Sequence, residues 1–221
     1  MSPHLIVTDE ARKLGLAATY LVEHNLLNRD RDDQFEQLKQ ARCKELIQKY
    51  SDHFIDNDTV VQGFRTLRQT TGRSPDRYPC SIEGLIRYLQ RHRSLPHINL
   101  IVDIYNLVSL ETRLTLGAHD LDQVNGNITL GLTQGNEPFY PLGGHPAESV
   151  GAGEYCYRDE SGQILCRLDY KQCDQSKINL STTGCLFIIQ GHTQTPTSVL
   201  SQAQERLIGL LHQFCFENIA E

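Results

Sequence analysis

The sequence predicts an α+β fold in which a helical N-terminal half packs on a mixed or antiparallel sheet and a C-terminal helix closes the chain. Helical periodicity dominates the segments between residues 30 and 113. Short β-compatible runs separated by turn residues dominate residues 128–191, and a long amphipathic segment follows Pro196. With 221 residues, of which 39% are apolar and 22% charged, the chain can bury a substantial core.

The N-terminal half contains two short β-compatible runs followed by helices. The predicted elements are strands at 4–8 and 16–22 and helices at 30–50, at 58–69 and from Ser81 onward. In the first helix acidic residues precede basic ones, as is typical of a helix. The second is expected to stop near Gly72, before the loop GRSPDRYP. Ser81 with Glu83 opens the third, whose apolar residues form one stripe.

The segment INLIVDIYNLVSLETR after Pro96 predicts a buried helix, because apolar residues occur nearly all round it. Asn99, Asp103 and Asn106 are spaced four and then three residues apart, so they line one ribbon of that helix. A buried amide or carboxylate needs hydrogen-bond partners. The ribbon is therefore either a satisfied structural network or the wall of a polar pocket.

The second half is typical of short strands and a closing helix. Predicted strands cover 128–132, 138–142, 154–158, 164–170 and 185–191, and the predicted closing helix covers 196–219. DESG at 159–162 indicates a hairpin turn. The glycine-rich loop at 143–153 lacks the strand-then-helix context and the GK[ST] ending of a phosphate-binding loop, which argues against a nucleoside-triphosphate site.

Several features indicate a soluble cytoplasmic protein with reduced thiols and no membrane association. No stretch approaches the roughly 18 apolar residues of a membrane helix, and the N-terminus lacks the pattern of a signal peptide. The cysteines are odd in number and include no CxxC pair: Cys43, Cys80, Cys156, Cys166, Cys173, Cys185 and Cys215. None has the short paired spacing of a structural zinc module, so we expect no metal and no other cofactor.

A cluster of arginines interrupts an acidic chain whose net charge is -6. That charge argues against non-specific coating of nucleic acid. The cluster consists of Arg65, Arg68, Arg73, Arg77, Arg87, Arg91 and Arg93. Within that segment only Asp76 and Glu83 oppose it. It is either a phosphate-docking surface, for which the planar guanidinium is suited, or a solvated helix face.

The common catalytic motifs are missing from the sequence. There is no GxSxG elbow for a serine nucleophile, and no cysteine is singled out by a neighbouring base. His119 in LGAHDLD follows a glycine turn and has Asp120 beside it. Its imidazole is either exposed and oriented for chemistry or that of an ordinary surface histidine. These motifs leave the function open.

Residues 95–144 resemble the B3/B4 domain, the tRNA-editing domain of the phenylalanyl-tRNA synthetase β subunit. VDIYNLVSLE is similar to that family's VD-x-x-N-x-V-x-x-E helix, HDLDQVNGNITL to its D-L-D-K-[LI]-x-G-x-I segment and FYPLGG to its x-x-L-[DG]-G turn. Residues 60–94 and 153–191 are similar to free-standing members, which carry a C-R-x-x-x-[RK]-Q run and T-T-x-x-L. We therefore expect one B3/B4-like domain over 1–221, with a helical lead-in at 1–94 and a pocket region at 95–191.

The resemblance implies a tRNA-binding protein that holds the 3′ end of an aminoacyl-tRNA and hydrolyses the ester of a wrongly attached amino acid. An aminoacyl-tRNA synthetase is a further implied partner. Editing exists because a synthetic pocket cannot reject every near-isosteric amino acid by binding alone. The ester is already activated, so positioning of carbonyl, water and ribose hydroxyl by a few polar donors supplies much of the rate. Such a mechanism needs neither a triad nor a metal.

Residues that match the family's motifs carry the implied site. The catalytic candidates are Asn106, His119, Thr182 and Thr183. The substrate-binding candidates are Asp103, Tyr105, Gly117, Gly143, Gly144, Arg167, Lys171, Gln172 and Ile188. The tRNA-binding candidates are Arg65, Arg68, Arg73, Arg77, Arg87 and Arg91. Alternation along a strand would place Arg167 and Asp169 on one face.

Two positions depart from the family's pattern. Synthetase copies have a histidine near the position that aligns with Gly117, whereas here the nearest histidine is His119. Their glutamate that recognises a tyrosine hydroxyl aligns with Ile188. A buried apolar wall cannot satisfy a phenol, so these positions favour a smaller or purely apolar amino acid. They also favour the alternative of a non-catalytic tRNA-binding or amino-acid-sensing module. A third possibility is a scaffold that binds protein through the arginine-rich helices.

Overall fold

The computed structural model describes residues 3–217 and shows helices and strands in an α+β arrangement. The helices are α1 (Asp9–Lys13), α2 (Asp33–Lys49), α3 (Phe54–Asn57), α4 (Thr59–Thr70), α5 (Ser81–His92), α6 (Leu100–Thr112) and α7 (Thr197–Phe214). The strands are β1 (Leu5–Val7), β2 (Leu16–Glu23), β3 (Thr115–Asp120), β4 (Ile128–Leu132), β5 (Glu137–Phe139), β6 (Glu148–Val150), β7 (Tyr155–Arg158), β8 (Ile164–Arg167), β9 (Lys171–Gln172) and β10 (Cys185–His192). The predicted fold class is confirmed.

Side-chain caps explain where three of the long helices begin. Asp32 Oδ1 accepts a hydrogen bond from Phe35 N (2.9 Å) at the start of α2. Asp58 and Asn99 cap α4 and α6 in the same way. A cap satisfies a backbone donor that a helix start leaves unpaired and stabilises the protein by about 1 kcal/mol. These caps place the helix starts within a few residues of their predicted positions.

Two sheets hold most of the strands. The larger has the order β1–β4–β7–β8–β9, with β1 parallel to β4 and the other pairs antiparallel. The smaller is antiparallel with the order β2–β10–β3. All eight residues of its central strand, β10, are buried, which explains the nearly continuous apolar run CLFIIQG. Strands β5 and β6 form a separate antiparallel pair.

Strand β3 corrects the prediction of a turn around Gly117. Gly117 pairs in register with Ile188 of β10, and His119 pairs with Leu186. A glycine followed by polar residues suggested a turn, but pairing with β10 decides the backbone conformation, because strand formation depends on tertiary context. Strands β6 and β9 escaped prediction because two or three residues are too few to show alternation.

Helix α6 is the central helix of the fold. Every residue from Leu100 to Leu110 except Asn106 is buried, which confirms the predicted buried helix. It packs against α7 and β3, while α7 also contacts β2 and β10. Helix α7 ends at Phe214, and residues 218 and 219 of the predicted closing helix lie outside the described residues.

Within residues 3–217, no helix is both long and apolar enough to cross a membrane. All seven cysteines are free, and six of them are buried. Burial raises the pKa of the Cys80 thiol to about 12 and also raises that of Cys166. These two thiols are therefore protonated at neutral pH and are poor nucleophiles.

Candidate functional site

A cavity of about 590 Å³ opens between α6, the β2–β10–β3 sheet and the turn that follows β8. The loop between β5 and β6 completes its rim. The lining residues are Ser81, Tyr105, Asn106, Thr115, Leu116, Gly117, His119, Pro141, Leu142, His145, Glu148, Tyr157, Cys166, Asp169, Tyr170, Lys171, Gln172, Ile188 and Gln190. Its volume falls within the range of pockets that enclose small ligands, roughly 300–1,000 Å³.

One wall of the cavity is built on a buried carboxylate, Asp169, which an arginine from α4 holds in place. Arg68 Nη2 lies 2.9 Å from Asp169 Oδ1, and Arg68 Nη1 lies 3.1 Å from Oδ2. The Tyr155 hydroxyl and Gln190 Nε2 (3.0 Å) also donate to Oδ2. Burial raises the pKa of Asp169, and the charge of Arg68 opposes that rise. The carboxylate is thus fully engaged and acts as an anchor for its neighbours.

Gln190 presents an oriented amide to the cavity. Its Nε2 donates to Asp169, and its Oε1 accepts a hydrogen bond from the Tyr157 hydroxyl. Because both ends of the amide are engaged, its orientation is fixed. The chain of hydrogen bonds from Tyr157 through Gln190 and Asp169 to Arg68 is buried throughout, and burial strengthens each of its bonds.

The backbone turns sharply after β8. Leu168 and Asp169 have φ values of 54° and 46°, in the left-handed region that costs a non-glycine residue about 1–2 kcal/mol. The strand therefore ends at Arg167, three residues earlier than predicted. Asp169 lines the cavity, whereas Arg167 lies outside it and binds Glu154. The prediction that Arg167 and Asp169 share a strand face is wrong for this reason.

His119 lies on the cavity wall but is only 2% exposed, so the prediction of a surface turn is wrong for this residue. Its Nδ1 lies 2.8 Å from Ser176 Oγ, which in turn lies 3.0 Å from Cys173 Sγ. Burial lowers the pKa of His119 to about 4. The imidazole is therefore neutral at pH 7. In this form it can polarise or orient a neighbouring group, but it binds a proton weakly.

Three further polar residues line the cavity. Asn106 is half-buried on α6, and Gln172 donates from Nε2 to Ala118 O (2.7 Å). Ser81 is the first residue of α5, where Cys80 holds the N-cap position. The Ser81 Oγ is buried and has no hydrogen-bond partner within residues 3–217. A buried hydroxyl without a partner is costly, so Ser81 is a candidate contact for a ligand.

The two positions that depart from the family's pattern lie side by side on neighbouring strands. Gly117 and Ile188 are register partners in β3 and β10, and both line the cavity. A Cβ built on Gly117 would have no atom within 4 Å. The glycine therefore leaves open space in the cavity, next to the apolar side chain of Ile188.

The polar residues Asn99, Asp103 and Asn106 of α6 do not share one role: two belong to the structural network and one belongs to the pocket wall. Asp103 accepts hydrogen bonds from Lys39 Nζ (2.7 Å) and Ile98 N (2.9 Å), away from the cavity. Asn99 caps the helix. Only Asn106 reaches the cavity. The substrate-binding prediction for Asp103 is wrong because the structural ion pair with Lys39 occupies it.

The threonine pair and the glycine turn also lie outside the cavity wall. Thr182 Oγ1 donates to Asp120 Oδ2 (2.6 Å), and Thr183 is exposed, so the structure does not bring them to His119 and Asn106 as catalytic groups. Gly143 and Gly144 do form a tight turn, with φ of 95° and 70°. Their neighbours Leu142 and His145 line the cavity, so the turn shapes its rim.

The arginine cluster does not form one phosphate-docking surface. Arg68 is 0% exposed and pairs with Asp169. Carboxylates also engage three others: Arg65 with Asp76 and Glu83, Arg87 with Glu83, and Arg73 with Glu154. Arg77 and Arg91 are exposed. The tRNA-binding prediction is therefore wrong for Arg68, because burial removes its guanidinium from any phosphate.

A group of potential metal ligands next to α6 already binds a cation, the ammonium group of Lys39. Oxygen and nitrogen atoms of Glu36, His97 and Asp103 lie within 4.8 Å of one another. The ammonium of Lys39 lies 2.5 Å from Glu36 and 2.7 Å from Asp103. The lysine supplies the positive charge that the carboxylates need, so this group carries no metal proposal.

The sequence reasoning missed Ser81, Tyr157 and Gln190 as site residues. Gln190 offered a signal, since it is the single polar side chain within the buried run CLFIIQG. Arg68 offered another, since Val61 and Phe64 precede it by seven and four residues, which places it on the apolar stripe of α4. A charge on such a stripe indicates a buried partner.

The fold and the cavity define a class: an α+β domain in which a central helix and an antiparallel sheet enclose a polar-walled pocket. The sequence model of the B3/4 domain matches residues 65–215. The chain belongs to the B3/4 domain family.

Comparison of structures shows the same fold in an N-terminal fragment of the phenylalanyl-tRNA synthetase β-subunit from Pyrococcus horikoshii. The two structures superpose with a TM-score of 0.52 at 10% sequence identity, over 96% of this chain. The match spans 49% of that fragment, about half its length. A search of curated proteins gave no significant match.

Proposed function

We propose that the protein binds tRNA and hydrolyses the ester of a wrongly charged aminoacyl-tRNA. The observation that carries the proposal is the cavity itself, whose wall holds oriented, uncharged hydrogen-bonding groups beside open space at Gly117. Membership of the B3/4 domain family and the likeness to a synthetase β-subunit fragment support this choice. On this proposal the partners are the 3′ end of tRNA and an aminoacyl-tRNA synthetase, and the compartment is the cytoplasm.

The chemistry asks for positioning more than for a strong base. An aminoacyl ester is already activated, so groups that orient the carbonyl, the attacking water and the ribose hydroxyl lower the barrier. Asn106, Gln190 and Ser81 are assigned that role, because each lines the cavity and offers an amide or hydroxyl. Neutral His119 orients a water molecule in this scheme, since its pKa of about 4 makes it a weak proton acceptor at pH 7.

The neighbouring residues Gly117 and Ile188 set the proposed specificity. A tyrosine hydroxyl placed against Ile188 would lose its hydrogen bonds to water without gaining another there, which costs about 1–3 kcal/mol. Smaller or apolar side chains carry no such cost. The proposed substrates are therefore tRNAs charged with a small or apolar amino acid.

The test is a panel of mischarged tRNAs incubated with the purified protein and followed by release of the amino acid. We expect wild-type protein to deacylate at least one member. Asn106→Ala should slow that release about 100-fold, the usual effect of removing one positioned donor. Asn57→Ala is the control, because Asn57 is exposed and does not line the cavity.

A non-catalytic module that binds tRNA or senses amino acids is the second candidate. The buried, neutral state of His119 favours it, because this imidazole then takes up a proton only weakly at pH 7. If the protein binds charged tRNA saturably but releases no amino acid from any mischarged tRNA of the panel, the non-catalytic module is supported and the hydrolase is refuted.

A further inference from the structure

A second cleft lies next to the main cavity and is rich in guanidinium groups. Its volume is about 460 Å³. Arg73 and Arg77 reach it from the loop after α4, and Arg167 reaches it from the end of β8. Ser74 and Ser149 add hydroxyl groups, and Glu154 is its only acidic residue within the described chain.

The charges of this cleft leave a positive excess. Glu154 is 2% exposed, and Arg167 and Arg73 both bind its carboxylate, at 2.7 and 2.8 Å. Three guanidinium groups thus face one carboxylate that is already paired. The Arg77 guanidinium is exposed and lies 5.6 Å from the centre of the Tyr78 ring, with no carboxylate of residues 3–217 within 4.0 Å. Arg77 is therefore available to an anion.

An ion-pair chain connects the cleft to the main cavity. Arg167 Nη1 lies 2.9 Å from Glu148 Oε2, and Glu148 Oε1 lies 2.8 Å from Lys171 Nζ. Glu148 and Lys171 line the main cavity, whereas Arg167 lines the cleft. The two spaces are therefore neighbours, separated by the Arg167–Glu148 pair.

We propose that this cleft binds a backbone phosphate of the RNA whose aminoacyl end enters the main cavity. A phosphate diester fits the excess of guanidinium groups, which bind its oxygens in pairs. The cleft is open to solvent along one side through exposed Arg77, Ser74 and Ser149, as a polymer requires. The choice of RNA as the ligand rests on the proposed function. Of the arginine cluster identified in the sequence, only Arg73 and Arg77 line the cleft, together with Arg167.

The experiment measures binding of an uncharged tRNA transcript by fluorescence anisotropy at several KCl concentrations. Arg77→Gln should weaken binding about tenfold and lower the slope of log affinity against log salt by about 0.7–0.9, the value of one lost phosphate contact. Arg12→Gln is the matched control, because Arg12 is an exposed arginine that lies outside the cleft. It should leave the slope unchanged.

Equal effects of the two substitutions, or no effect of either, would overturn the proposal, as would the lack of any binding to the transcript. Gly151→Ala tests Arg73 without a change of charge, because its Cβ would lie 2.8 Å from Arg73 Nη2 and displace that guanidinium. We expect about threefold weaker binding, and unchanged affinity would overturn the role given to Arg73.

Failure of this inference and failure of the proposed function are separable. Binding is measured on uncharged tRNA and hydrolysis on charged tRNA. If the wild-type protein hydrolyses no charged tRNA but Arg77→Gln lowers the salt dependence of tRNA binding, the cleft is supported and the proposed hydrolase is refuted. If the protein hydrolyses charged tRNA but its tRNA binding is equally insensitive to Arg77→Gln and Arg12→Gln, the cleft is refuted.

Discussion

At the scale of single residues, the hydrogen-bond network of the cavity depends on one buried ion pair. Arg68 and Asp169 are 101 residues apart in the chain, and both are buried. Removing one partner of such a pair leaves an uncompensated charge in the interior, which is more costly than the pair itself is stabilising. The pair therefore has more influence on the order of the site than any single exposed arginine.

Asp169→Asn should lower the free energy of unfolding by about 3–5 kcal/mol, because Arg68 would lose its counter-charge without gaining access to water. Urea denaturation at pH 7 measures the change. The control is Asp76→Asn, whose carboxylate pairs with Arg65 but is 80% exposed, so a change within about 0.5 kcal/mol is expected. Equal destabilisation by the two variants would contradict the role assigned to the buried pair.

His119 gives the protein a defined dependence of stability on pH. Its pKa falls from 6.5 to about 4 on folding because burial disfavours the charged ring. Between these values the unfolded chain binds a proton that the folded chain does not, so the stabilising contribution is complete above pH 6.5 and is lost as the pH falls toward 4. Wild-type protein should lose about 2 kcal/mol from this group between pH 7.5 and pH 5.

The measurement is urea denaturation at these two pH values for wild type and His119→Gln. The variant has no titrating ring at this position, so its loss over the same interval should be smaller by about 2 kcal/mol. Parallel losses in the two proteins would show that His119 does not titrate as its burial requires.

At the scale of elements, capped and periodic segments were predictable and short or paired segments were not. Helix α6 could be read from its apolar residues, and β10 from its continuous apolar run. Strand β3 could not, because its conformation comes from pairing with β10 rather than from its own sequence. The turn at Leu168 and Asp169 was equally hidden, since non-glycine residues rarely adopt a positive φ. Of the residues named from the sequence, Asn106 on α6 lines the cavity, whereas at the end of β8 the turn brings Asp169 rather than Arg167 to the cavity wall.

Gly117 on β3 and Gly191 on β10 should differ in how much an added methyl group changes the stability of the protein. Gly117→Ala places its Cβ in open space, so stability should change by less than about 0.5 kcal/mol. Gly191→Ala places its Cβ 2.5 Å from Thr195 Oγ1 and should destabilise the protein by about 1–3 kcal/mol. Thermal unfolding compares the two, and a destabilised Gly117→Ala would show that this side of the cavity is closed.

At the scale of the whole molecule, the cavity is assembled from both halves of the chain. Helix α6 and the start of α5 come from the first half, and β7, β8 and β10 come from the second. A ligand that binds there touches elements distant in sequence and stabilises the folded state alone. The extent of the domain over 1–221 stays a prediction.

A non-hydrolysable 3′-aminoacyl-adenosine analogue should raise the melting temperature. At a concentration 100 times its Kd, binding adds about 2.7 kcal/mol, which corresponds to about 5–10 °C for a chain of this length. Analogues with alanine or valine should protect more than one with tyrosine, because of Ile188. Differential scanning fluorimetry ranks them, and stronger protection by tyrosine would contradict the proposed specificity.

The Arg68–Asp169 pair also limits how modular the pocket is. The strands that form most of its wall belong to the second half, yet their turn is fixed by a guanidinium carried on α4. A graft of residues 95–191 into another scaffold would leave Asp169 buried without its counter-charge. Any hybrid protein that is meant to inherit this pocket must therefore carry α4, or replace Asp169 by a neutral residue of similar shape.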